Sequence, residues 1–114
     1  MAALGRFGPP LALMAVIYAL SSRQDLDPGA GALGAVLPVL AHLGLYGLLF
    51  ALNWRAVPSR PGLAGAVALL YGVSDELHQS TVPGRDATAF DVGVDAVGIA
   101  AAYLALRASR ARWP

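Results

Sequence analysis

The chain contains no cysteine, which excludes a disulfide framework, a thiolate nucleophile and any cysteine-ligated metal. It contains no lysine; all eight of its cations are arginine, so lysine Schiff-base chemistry is excluded as well. Charged residues make up only 13%, about half the ~25% usual in a soluble domain. A net charge of +1 supplies no field for nucleic acid. No Walker motif, dinucleotide glycine fingerprint, serine elbow or HExxH helix is present. What the chain does have is apolar: 57% hydrophobic residues and 13 glycines, with mean hydropathy +0.60. Its 114 residues make one domain. A domain this small leaves much of its surface exposed, so a soluble enzyme with a polar coat is excluded, as is disorder. The class that remains is a small all-α integral membrane protein.

Four segments read as membrane helices, at about residues 4–21, 37–54, 61–79 and 89–106. The first carries Arg6 and then Pro9-Pro10, which a helix tolerates in its first turn. Its arginine and apolar run also resemble a secretory signal. Ala19-Leu20-Ser21 is a poor cleavage site, so the segment is read as a retained helix. The second lies within residues 29–54, where no side chain is charged if His42 is neutral. Its Gly/Ala-rich start and Pro38 predict a regular helix only from near Leu37, preceded by a loop, a short interfacial helix or a re-entrant piece. The third has 14 uncharged residues, 61–74, and the fourth has 11, 96–106. Both are shorter than the ~20 a span requires. They cross only if their acidic ends lie in or at the edge of the hydrocarbon, and the function is expected there. Thr88 followed by Asp91 resembles a capping box with Asp in place of Glu.

Arginine placement orients the bundle. With both termini cytoplasmic, the inner segments hold Arg6, Arg55, Arg60, Arg107, Arg110 and Arg112, and the outer loops hold Arg23 and Arg85. Every acid then falls in the outer half or the outer loops. His42 and Tyr46, spaced i, i+4, share a face near the outer end of the second helix. Asp75 shares a face with His78 and Gln79. Asp91 and Asp95 share a face continued by Gly98 and Ala102, small residues that permit close helix approach. An ionised Asp at membrane depth costs ~2.5–3.5 kcal/mol. Asp95 therefore needs the bundle interior and a partner, the candidates being Arg85, His42 and His78.

Ionisable groups at membrane depth mark a functional site by default. His42, Asp75, His78 and Asp95 are the catalytic candidates if the protein is an enzyme, with imidazole as acid or base. Tyr46, Glu76, Gln79, Arg85 and Asp91 are the binding candidates. The guanidinium fork of Arg85 suits a phosphate; its bland alternative is a surface pair with Asp86. Asp91 has an equally bland role as a helix cap. No cofactor is named by the sequence. A divalent metal, Zn or Mn, would find His42, Asp75, His78 and Asp95 as donors, but no tight metal-ligand spacing appears.

The run Ser74-Asp75-Glu76-Leu77-His78-Gln79, then Pro83-Gly84-Arg85, then Asp91, Asp95 and Gly98, closely resembles the VanZ-like family of small bacterial membrane proteins. His42 and Tyr46 match its second helix, and Ser21-Ser22 before a polar loop is similar to it. One departure is Val39, where the family often has Lys one turn before the histidine. The resemblance implies a four-helix protein of the bacterial cytoplasmic membrane, linked to reduced susceptibility to teicoplanin and related lipoglycopeptides. The expected partner is a membrane lipid or lipid-linked cell-wall precursor, bound by its headgroup in an outer polar pocket. The alternative is an enzyme performing acid/base or metal-assisted transfer or hydrolysis on such a headgroup. No nucleic acid is expected as a partner, and the sequence fixes no oligomeric state.

Overall fold

The computed structural model of the chain describes residues 2–23, 29, 31–83 and 88–111. These form four helices: α1 Ala3–Ser21, α2 Gly31–Ala56, α3 Pro61–Gln79 and α4 Ala89–Ala111. Among the described residues there is no strand. Three of the helices, α1, α2 and α4, are long and apolar enough to cross a membrane. The fourth, α3, packs against all three, and polar groups crowd its last turn and a half.

The surface is inverted relative to a soluble protein. Leu11, Leu33, Leu70, Leu77, Phe90, Val97 and Leu104 are exposed, while Ser21, Asn53, Asp75, Gln79 and Asp95 are buried. In water such a coat would aggregate. In a bilayer the exposed leucines meet hydrocarbon and the polar groups must find partners within the bundle.

Two expectations about prolines need correction. The second helix begins at Gly31, not near Leu37, and runs through Pro38 for 26 residues. At 1.5 Å per residue that is about 39 Å, more than a ~30 Å hydrocarbon core, so α2 must tilt or project. Glycine conformation explains the early start. Gly29 and Gly31 have positive φ, a region glycine enters without steric penalty. At Gly34 an added Cβ would lie 1.9 Å from the carbonyl oxygen of Gly29, so only glycine fits there. Away from water the backbone gains most by bonding to itself, and this outweighs the low helix propensity of the glycines.

In α1 the prolines do not lie in the first turn. The helix starts at Ala3, so Pro9 and Pro10 are interior. Proline lacks an N–H and frees the carbonyl four residues earlier; for Pro9 that is Gly5. Arg55 Nη1 donates to this Gly5 oxygen at 3.1 Å. Arg6 reciprocates, donating from Nε at 3.0 Å to the Ala56 oxygen at the end of α2, where a helix leaves carbonyls unpaired. Two arginines thus tie the start of α1 to the end of α2. Arg110 near the end of α4 lies 3.8 Å from the ring centre of Trp54, gathering a third helix terminus at this arginine end.

Helices α2 and α4 run parallel and approach closely. A Cβ on Gly98 would lie 2.6 Å from the Leu43 oxygen, and one on Gly47 would lie 3.2 Å from the Gly98 oxygen and 3.5 Å from Ala102 Cβ. The close approach expected at Gly98 and Ala102 is found, with Gly47 as its counterpart. The core beneath it is Tyr46, Leu49, Phe50 and Trp54 of α2 against Ile17, Ala64 and Ala68.

Candidate functional site

Because α2 and α4 run parallel with glycines between them, His42 stands level with Asp95. His42 Nδ1 and Asp95 Oδ1 are 2.7 Å apart. The carboxylate is buried, whereas the imidazole keeps 17% of its side-chain surface exposed. An ionised carboxylate only accepts, so with Asp95 charged the Nδ1 position carries the proton. That orientation leaves His42 Nε2 as the nitrogen for outside chemistry, as a buried acid does behind a histidine base.

Helix α3 closes the cluster from the third side. Its antiparallel course past α2 sets Asp75 against Tyr46, whose hydroxyl donates to Asp75 Oδ2 at 3.2 Å. The rings of Tyr46 and His42 stack, 6.1 Å apart and 9° from parallel. One turn before Asp75 is Gly72. A Cβ there would lie 2.8 Å from Asp95 Oδ2 and 3.2 Å from Tyr46 Cε1. The missing side chain of Gly72 is thus the seat of the Asp95 carboxylate.

His42, Tyr46, Asp75 and Asp95 therefore meet in one cluster. Asp91 and Glu76 border it by position, Asp91 one turn before Asp95 on α4 and Glu76 next to Asp75 on α3. Glu76 Oε1 is buried and has no hydrogen-bond partner among the described residues. Gln79 is buried on the face of Asp75. In the first turn of α4, the Asp91 amide bonds to the Thr88 carbonyl at 3.1 Å.

His78 stands elsewhere. It stacks on Tyr18 of α1, with ring centres 4.5 Å apart, and its Nε2 is 2.7 Å from Ser22 Oγ. Ser22 Oγ also lies 2.8 Å from the Tyr18 carbonyl, which can only accept. The single hydroxyl proton goes to that carbonyl, so His78 Nε2–H donates to Ser22. A serine held this way is not activated by the histidine, and the trio works as a clamp between α1 and α3. A second α1–α3 bond runs from the Tyr71 hydroxyl to the Met14 carbonyl.

Arg85 and Asp86 lie outside the described residues. Of the three candidate partners of Asp95, the structure supplies His42. Among the described residues no group of three or more His, Asp or Glu side chains is arranged to hold a metal ion. Gly72 was not singled out by the sequence, although it shares the helical face of Asp75 and Gln79.

The family model described as VanZ/LLP1 matches residues 8–110. No curated protein matches the chain, and no solved structure does.

Proposed function

The chain belongs to the VanZ/LLP1 family, and on that premise we propose that it resides in a bacterial cytoplasmic membrane and binds a polar headgroup at its acidic end. The ligand is a membrane lipid or a lipid-linked cell-wall precursor, and occupying it reduces access of teicoplanin-like lipoglycopeptides. The observation that carries this reading is the His42–Asp95 pair, its carboxylate buried between helices whose outward faces are apolar. A carboxylate at such depth is costly, and packing alone would be served as well by apolar residues. His42 Nε2, Asp91 and the unpartnered Glu76 oxygen retain hydrogen-bonding capacity toward a ligand bearing hydroxyl or amino groups.

The same pair supports a second reading, acid/base catalysis on the headgroup. A buried Asp95 behind a partly exposed His42 is the arrangement that orients an imidazole base. Lipid profiling separates the two readings. Cells expressing wild type are compared with cells expressing His42→Ala at equal membrane levels, and teicoplanin susceptibility is read alongside. Loss of resistance with an unchanged lipid profile is expected for binding. A lipid species that appears or disappears with His42 establishes catalysis. If neither readout differs, both readings fail.

Orientation is part of the proposal. With both termini cytoplasmic, a cysteine introduced at Thr81 should react with a membrane-impermeant maleimide in intact cells, and one at Ser59 should not. The reverse pattern would move the acidic end to the cytoplasm.

A further inference from the structure

At the arginine end, away from the acidic cluster, a cleft of about 330 Å³ opens between α1, α2 and α3. Phe7, Leu11 and Met14 line it from α1, Ala56 from the end of α2, Val57 from the turn that follows, and Leu63 and Val67 from α3. Its one polar side chain, Asn53, spends its amide on the Ala64 carbonyl at 3.2 Å. The wall therefore asks nothing polar of an occupant. Volume places the cleft at the small end of ligand sites, which run ~300–1,000 Å³. Because α1 and α2 are long and apolar enough to cross a membrane, the medium around it is hydrocarbon, and an apolar cavity does not hold water.

The end of the cleft is basic. Arg6 adjoins the wall residue Phe7 and is bonded to the carbonyl of Ala56, another wall residue. The exposed Arg60 follows the same turn, its amide bonded to the Val57 carbonyl at 2.9 Å. Arg6 spends two of its donors on Ala56, and a guanidinium carries five. Among the described residues every acid, Asp75, Glu76, Asp91 and Asp95, belongs to the opposite end.

We propose that this cleft is a binding site for an anionic glycerophospholipid, with an acyl chain between α1, α2 and α3 and the phosphate against Arg6 and Arg60. Basic pockets between membrane helices recognise anionic headgroups in this way. The site is separate from the His42–Asp95 cluster and does not depend on the function assigned to that cluster.

The test uses the full chain in nanodiscs of equal parts dioleoyl-phosphatidylglycerol and dioleoyl-phosphatidylcholine, with retained lipid counted by native mass spectrometry. Wild type should retain phosphatidylglycerol several-fold over phosphatidylcholine. Arg60→Gln should reduce that preference by about fivefold, the worth of one arginine near an anionic lipid. Val67→Trp and Leu11→Trp fill the cleft from different helices, and each should release the lipid; if one fails to fold, the other decides. Gly44→Ala, whose added Cβ meets open space, should retain lipid as wild type does. Equal retention of the two lipids by wild type would overturn the proposal. So would an unchanged preference in Arg60→Gln, wild-type retention in a cleft-filled variant with wild-type melting, or loss of the lipid in folded Gly44→Ala.

Discussion

At the acidic end the charged groups turn inward: Asp95 and Asp75 are buried, one answered by His42 and the other by Tyr46. At the arginine end they turn outward, and Arg55 and Arg110 are exposed. Their partners there are main-chain carbonyls and an aromatic face, Gly5 for Arg55 and Trp54 for Arg110. Both arrangements hold helices together. Only the inward one holds ionisable groups away from solvent, where the retained polarity calls for a use. The outward one ties helix ends together on the surface, its exposed cationic side chains spent on a carbonyl and an aromatic face.

The largest expected difference between the two ends is in stability. Asp95→Ala leaves His42 without its partner between helices, and losing a hydrogen bond to a charged group costs ~1.5–3 kcal/mol. Arg110→Ala removes an exposed cation–π contact worth ~0.5–1 kcal/mol. Reversible unfolding in mixed detergent micelles should rank the two variants in that order. Equal losses would erase the distinction between the ends.

Gly72 sharpens the comparison within the acidic end. Alanine there forces a Cβ against Asp95 Oδ2, and such overpacking costs ~1–3 kcal/mol. Gly44, also in a helix, has open space where its Cβ would stand, so Gly44→Ala should be neutral or gain up to ~1 kcal/mol from helix propensity. The same unfolding assay reads both. A neutral Gly72→Ala would mean that Asp95 is not seated as described.

A smaller effect is expected at the clamp. His78→Ala deletes one hydrogen bond and a ring stack between α1 and α3, a loss of ~1 kcal/mol for the bond. Hydrogen exchange should quicken at the end of α1 while α2 and α4 keep their protection. Faster exchange around Asp95 instead would join His78 to the central cluster.

Much of this arrangement was legible in the sequence. The third helix has the expected bounds, 61–79, because Pro61 starts it and Gln79 is followed by a polar turn. Helical spacing put His42 with Tyr46 and Asp91 with Asp95, and depth matching placed His42 among the candidate partners of Asp95. Three features were not legible, each for a physical reason. The start of α2 was hidden because glycine and Pro38 signal breakage in water, whereas a membrane environment enforces backbone bonding. Gly72 was missed because the value of an absent side chain depends on which neighbour fills the space. The separation of His78 from His42 depends on where α1 docks, and the apolar faces of α1 do not specify that.

The account rests on the acidic cluster being a ligand site rather than a structural bolt, and Asp95→Asn tests this most directly. Asparagine keeps the shape and can still meet His42, so the bundle should fold, but the charge that orients the imidazole is gone. At matched membrane levels and matched melting, cells expressing Asp95→Asn should be as teicoplanin-susceptible as cells lacking the protein, while Arg110→Ala keeps wild-type resistance. Wild-type resistance from a well-folded Asp95→Asn would contradict the account and leave the cluster with a structural role alone.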